Sequence, residues 1–199
     1  QIMQHMDRET AAAIEEFKHL SGVSPERISN EFLTGLIKSA NPVNYLKNYQ
    51  LTGLMPAVFP GLNVDIEGID RIGNIRNPKA VLAWLLRNNG DPRNIRQRLN
   101  QLTYSNDMAD GVSFLVKLFH FDPAQIAGFL RQRDIHKQIK DPAVQQLAAG
   151  TMSRDVMDFA KIAGMEQELQ HFLNYQPVAR AQDFAHLKGK AIGDAMSAA

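Results

Sequence analysis

The chain has 199 residues, of which 44% are hydrophobic, 22% charged and 8% aromatic, and its formal net charge is +1. Those proportions exclude a disordered, collagen-like or acidic-tail polypeptide, and a chain of this length buries roughly 70% of its unfolded surface, enough for a core. The lack of cysteine removes disulfide frameworks, thiolate zinc sites and cysteine nucleophiles. No run of ~18 apolar residues exists to span a bilayer, so a soluble, cytoplasmic protein with no membrane contact is expected. The chain opens on Gln1 rather than a methionine, which predicts further residues upstream.

Asp7 opens the first predicted helix, through Ile14, Phe17 and Leu20. The later starts are marked by proline, which lacks an amide hydrogen and has φ near the helical value, and so suits the first position of a helix. Six prolines follow a side chain able to accept from first-turn amides: Ser24-Pro25, Asn41-Pro42, Asn77-Pro78, Asp91-Pro92, Asp122-Pro123 and Asp141-Pro142. Between them apolar residues recur at helical spacing, as in Ile28, Phe32 and Leu36, then Val81, Leu82, Leu85 and Leu86, then Ile95, Leu99 and Leu102. Later segments carry Val112, Leu115 and Phe119, then Val156 and Ile162. No alternation of period two persists, so the class is all-α, with about ten short helices joined by brief turns. Residues 60–76 and 175–184 have the weakest periodicity and are the candidate joints.

Charge is unevenly spread. Residues 71–98 hold seven basic side chains, Arg71, Arg76, Lys79, Arg87, Arg93, Arg96 and Arg98, against one acidic, a balance of +6. Such a run makes a phosphate-binding surface if its helices aim the side chains one way, and a solvated helix face if they do not. Arg93 and Arg96 are expected on one helix face, with Ile95 and Leu99 turned away.

Other chemistries lack their parts. The six histidines include no HExxH pair, and Glu16/His19 and Glu168/His171 lack the further glutamates and long helices of a di-iron bundle. No G-x-S-x-G elbow occurs, and Gly189-Lys190 has no glycine five positions before that Gly to make a phosphate loop. Where helical phosphohydrolases place a His-Asp metal doublet, this chain reads Arg87-Asn88-Asn89. Trp84, inside Val81–Leu86, reads as core rather than a base-stacking platform.

Residues 24–62 resemble the neck-to-body segment of the class II tRNA nucleotidyltransferase and bacterial poly(A) polymerase family. The likeness rests on Ser24, Glu26, Arg27, Ile28 and Glu31, then Asn41-Pro42, Gly53-Leu54-Met55 and Phe59-Pro60-Gly61-Leu62. Gly61 stands where the family usually has glutamate. Leu99 to Asn106 resembles the family's body and Leu187 to Met196 its tail. The resemblance implies a neck over 1–53, a body over 54–122 and a tail over 123–199, which together hold the acceptor arm of tRNA or another structured RNA.

The family's catalytic head, with its Gly-Gly-x-Val-Arg-Asp turn, paired aspartates and base-selecting helix, has no counterpart here. The chain alone is therefore not expected to polymerise, and Mg²⁺ and ATP or CTP would belong to a head encoded elsewhere. The head is itself an expected contact, whether the intact protein performs CCA addition or poly(A) tailing. The resemblance makes Arg71, Arg76, Lys79, Arg87, Arg93, Arg96 and Arg98 candidate RNA contacts, with Arg131, Arg133, Lys137, Lys140, Lys188 and Lys190 behind them. It also makes Arg27 and Glu31, at i,i+4, a salt bridge that supports a nucleotide pocket. The competing reading is a helical scaffold for a protein partner, its arginines a soluble face.

Overall fold

A computed structural model of the chain describes residues 12, 20–120, 153–169 and 184–198. Four of the six cap-proline pairs fall within them, and each starts a helix. Ser24 Oγ accepts from Arg27 N (3.3 Å) at the head of α1 (Pro25–Lys38), and Asn41 Oδ1 from Asn44 N (3.0 Å) at α2 (Pro42–Leu51). Asn77 Oδ1 accepts from Lys79 N (3.1 Å) and Ala80 N (3.4 Å) at α4 (Pro78–Leu86), and Asp91 Oδ1 from Arg93 N (2.9 Å) at α5 (Pro92–Gln101). In each case the side chain satisfies an amide that has no partner within the helix, and proline removes another. The starts expected at Asp122-Pro123 and Asp141-Pro142, and most of the segment from Asp7 to Leu20, lie outside the described residues.

The remaining elements are α3 (Met55–Val58), a 3₁₀ turn (Ile69–Ile72), α6 (Asn106–Phe119), α7 (Ser153–Ala163) and α8 (Lys190–Ala198). No strand occurs among the described residues, so the all-α class holds. The weakly periodic 60–76 contains no α-helix; the 3₁₀ turn lies in it, between Gly68 and Gly73, both at positive φ.

Every residue of α4 from Lys79 to Leu86 is buried. That follows from its apolar sequence, and α6 and α7 pack against it. Trp84 is 5% exposed and belongs to this core. On the other flank Phe32 of α1 meets Phe59 edge-on at 5.0 Å and Tyr49 at 5.3 Å; the Tyr45 hydroxyl donates to Phe32 O (3.0 Å) and, its one proton used there, accepts from the Tyr49 hydroxyl (3.1 Å). Gly35 is required there: a Cβ at that position would overlap the Tyr45 ring and hydroxyl.

Tyr104 stacks on Phe59 at 6.3 Å, and its buried hydroxyl has no hydrogen-bond partner among the described residues. Burial pushes the Tyr45 and Tyr104 phenols well above their ordinary range. Keeping them neutral contributes stability that is whole below about pH 10 and is lost as pH climbs beyond it. Tyr104→Phe removes a desolvated, unpaired hydroxyl, so thermal denaturation at pH 7 should show unchanged or higher stability, by up to about 1 kcal/mol, and a shallower alkaline decline. A loss of more than about 1 kcal/mol would show that the hydroxyl is partnered after all.

Candidate nucleic-acid interface

The seven basic side chains of 71–98 are adjacent in sequence, yet the fold gives them different tasks. Lys79 is 7% exposed, with its Nζ 2.8 Å from Asp107 Oδ2 and 3.6 Å from Asp155 Oδ2. Asn77, the α4 cap, donates from Nδ2 to Asp155 Oδ1 (2.9 Å) and Asp158 Oδ2 (3.1 Å), tying α7 to the head of α4. Arg87, 6% exposed, donates from Nη2 to Asp65 Oδ2 (2.7 Å) and Glu67 O (3.0 Å), and from Nη1 to Trp84 O (2.6 Å) and Asp65 O (3.2 Å). Its guanidinium lies 3.8 Å from the Trp84 ring centroid. Burial lowers its pKa, and the Asp65 and Glu67 carboxylates oppose that shift. Arg96 is half-buried and paired with Asp110 of α6.

Lys79, Arg87 and Arg96, expected as RNA contacts, are each engaged in an ion pair within the fold. A charge withdrawn from water needs an opposite charge beside it, and folding brings Asp107, Asp155, Asp65 and Asp110 to these three. Arg71 and Arg76 stay exposed but use their donors on helix ends. Arg71 Nη1 donates to Ala163 O (3.4 Å) at the end of α7, while Arg76 donates to Ser39 O (3.0 Å) and Ala40 O (3.1 Å) just past α1.

Arg93 and Arg98 remain, both exposed on α5. The exposed residues Arg93, Asn94, Gln97, Arg98 and Gln101 fall on one arc of about 140° at 100° per residue, while Ile95 and Leu99 are buried on the other side. The expected partner of Arg93 on this face, Arg96, points to α6 instead, and Arg98 takes its place. Arg93 pairs with its own cap residue, Asp91 Oδ1 lying 3.5 Å from Arg93 Nε. Arg98 Nη1 donates to Gln101 Oε1 (3.2 Å), and its guanidinium lies over Gly61, where a Cβ would sit 3.3 Å from Cζ. Gly61, at φ +76°, itself sets no side chain against Arg98. The carboxamides Asn94, Gln97 and Gln101 were not singled out from sequence; the helical spacing of polar, uncharged residues after Pro92 is the signal that finds them.

Arg27 and Glu31 are exposed on α1 and line a half-open groove of about 140 Å³, with Val23, Ile28, Tyr49, Leu54 and Val58 among its walls. They form no salt bridge with each other, a correction to the expected support pair; an exposed i,i+4 pair gains only a few tenths of a kcal/mol, too little to hold two long side chains together. Lys188 and Lys190 are exposed, Lys190 as the first residue of α8. Arg131, Arg133, Lys137 and Lys140 lie outside the described residues. Among the described residues no three His, Asp or Glu side chains gather as a metal site, and no helix is long and apolar enough to cross a membrane.

Residues 5–66 match the family model described as "Probable RNA and SrmB- binding site of polymerase A". No curated protein and no solved structure matches the chain. The matched segment covers less than half of the chain; it contains α1 to α3 and the whole groove, and holds seven acidic and five basic side chains. The basic face of α5 lies beyond it. Over residues 5–66 the chain is thus similar to an RNA-binding segment of poly(A) polymerases, which supports an RNA partner and a poly(A) polymerase-like family without singling out the CCA-adding enzymes.

Proposed function

We propose that this chain is the RNA-holding part of a template-independent nucleotidyltransferase, and that it grips the acceptor arm of tRNA, or a comparable structured RNA, through backbone phosphates on the outer face of α5. The observation that carries this reading is the composition of that face: two guanidiniums, three carboxamides, and no carboxylate from Arg93 to Gln101. Arginine pairs with phosphate, while carboxamides both donate to and accept from phosphates and 2′-hydroxyls, which suits recognition by shape rather than sequence. Arg93 and Arg98 are about 7.5 Å apart along the helix axis, a spacing that lets them reach neighbouring phosphates. Chemistry, whether CCA addition or poly(A) tailing with Mg²⁺ and a nucleotide, would reside in a separate head that this chain contacts, in the cytoplasm.

Titration of a labelled tRNA acceptor hairpin with the chain tests the reading. Two phosphate contacts give a log–log salt slope near −2, so affinity should fall roughly tenfold between 50 and 200 mM salt. Absence of binding at 50 mM, or a flat salt response, refutes it. The matched description names SrmB beside RNA, and Ile37 (46% exposed) and Leu51 (55%) give α1 and α2 apolar surface. Those observations favour, as a second reading, a scaffold that docks a protein; apolar docking would show no such fall with salt.

A further inference from the structure

The groove beside α1 is small and chemically mixed. Its volume of about 140 Å³ is well under the roughly 300–1,000 Å³ of pockets that enclose a drug-sized ligand, so it admits one ring rather than a whole molecule. Every lining residue lies between Leu20 and Val58, inside the segment that matches an RNA-binding model. Arg27 and Glu31 share the α1 face that borders it, and neither side chain has a hydrogen-bond or ion-pair partner among the described residues. Tyr45 gives its one proton to Phe32 O, so the Tyr49 hydroxyl donates to Tyr45 Oη and its oxygen keeps only acceptor capacity toward the groove. Val58 lines the groove, and three residues further on Gly61 lies against Arg98, so the chain itself links the groove to the basic face of α5.

Resting on the RNA reading above, we infer that this groove takes one unstacked nucleobase of a bound strand and prefers a base with an exocyclic amine. The apolar walls of Val23, Ile28, Leu54 and Val58 cover the ring, as unstacked RNA bases require. Glu31 accepts from the amine, and Arg27 meets the attached phosphate. A carboxylate accepts well from cytosine N4, whereas uracil presents a carbonyl oxygen at that position and repels it.

The test is fluorescence anisotropy of the 199-residue chain with 5′-labelled C10 and U10 RNA, two pyrimidine strands that differ at the ring edge. C10 should bind roughly three- to tenfold more tightly than U10, the range of one net hydrogen bond. Glu31→Ala, at an exposed position, should bring C10 down to the level of U10, and so should Val23→Trp, which fills the groove from its rim. Arg93→Glu/Arg98→Glu should weaken both strands and keep their ratio. Equal binding of C10 and U10 overturns the base pocket and leaves the phosphate reading standing. A preference that survives both Glu31→Ala and Val23→Trp also overturns it, and leaves the groove to an apolar side chain of a protein partner. No binding of either RNA at 50 mM salt overturns both readings together.

Discussion

The double variant Arg93→Glu/Arg98→Glu is expected to lower RNA affinity roughly 100-fold at 0.1 M salt and to remove about two units of the log–log salt slope. Helix content and melting temperature should change little. Arg93 stands in the first turn of α5, where a carboxylate is favoured by the helix dipole, and Arg98 stands near the end, where it is disfavoured, so the two effects on stability oppose. Neither residue carries a buried pair. Arg96→Ala should behave the other way: it leaves Asp110 of α6 without its partner, lowers the melting temperature and spares the salt slope. Position 61 offers a finer control. Asn and Asp both tolerate the left-handed backbone that Gly61 adopts, so Gly61→Asp and Gly61→Asn should be similarly strained. Only the aspartate sets a negative charge beside Arg98, and it should cost about one unit of salt slope relative to the asparagine variant. Equal slopes for the two would remove Arg98 from the interface.

Arg87→Ala should destabilise the fold by about 3–5 kcal/mol, because it strips a buried ion pair of one member and leaves Asp65 uncompensated. The carbonyls of Asp65, Glu67 and Trp84 lose their donors in the same step, and the Trp84 ring loses its stacked cation. That corresponds to a fall in melting temperature of roughly 10 °C or more, which emission from Trp84, the chain's single tryptophan, reports directly. Arg87→Lys should not rescue it, since one ammonium cannot serve a carboxylate and three carbonyls while lying flat on an indole. Well below its melting temperature the variant should retain RNA as tightly as the parent. Weakened RNA binding with stability intact would return Arg87 to the interface.

The reading from sequence placed the groove only in part. Arg27 and Glu31 were marked as neighbours on a helix, which spacing alone can show. Tyr49 and Val58 were not marked, because they come from α2 and α3, and the cavity exists only where those elements meet α1. Likewise 60–76 read as a joint for want of periodicity, although Asp65, Glu67 and the 3₁₀ turn in it supply partners to Arg87 and Lys47.

The starts of α1, α2, α4 and α5 and the all-α class were legible along the chain because capping is a local event: the acceptor side chain, the proline and the amides it satisfies lie within three residues. The fate of each basic side chain was not. Asp65 is 22 positions from Arg87 and Asp110 is 14 from Arg96, while Asn77 reaches Asp155 across 78. No periodic pattern encodes those meetings. Packing of α4 against α6 and α7 brings carboxylates in, and so five of the seven cations tie distant parts of the chain together, Arg71 and Arg76 from exposed positions, while the paired groups of Arg93 and Arg98 come from α5 and its own cap.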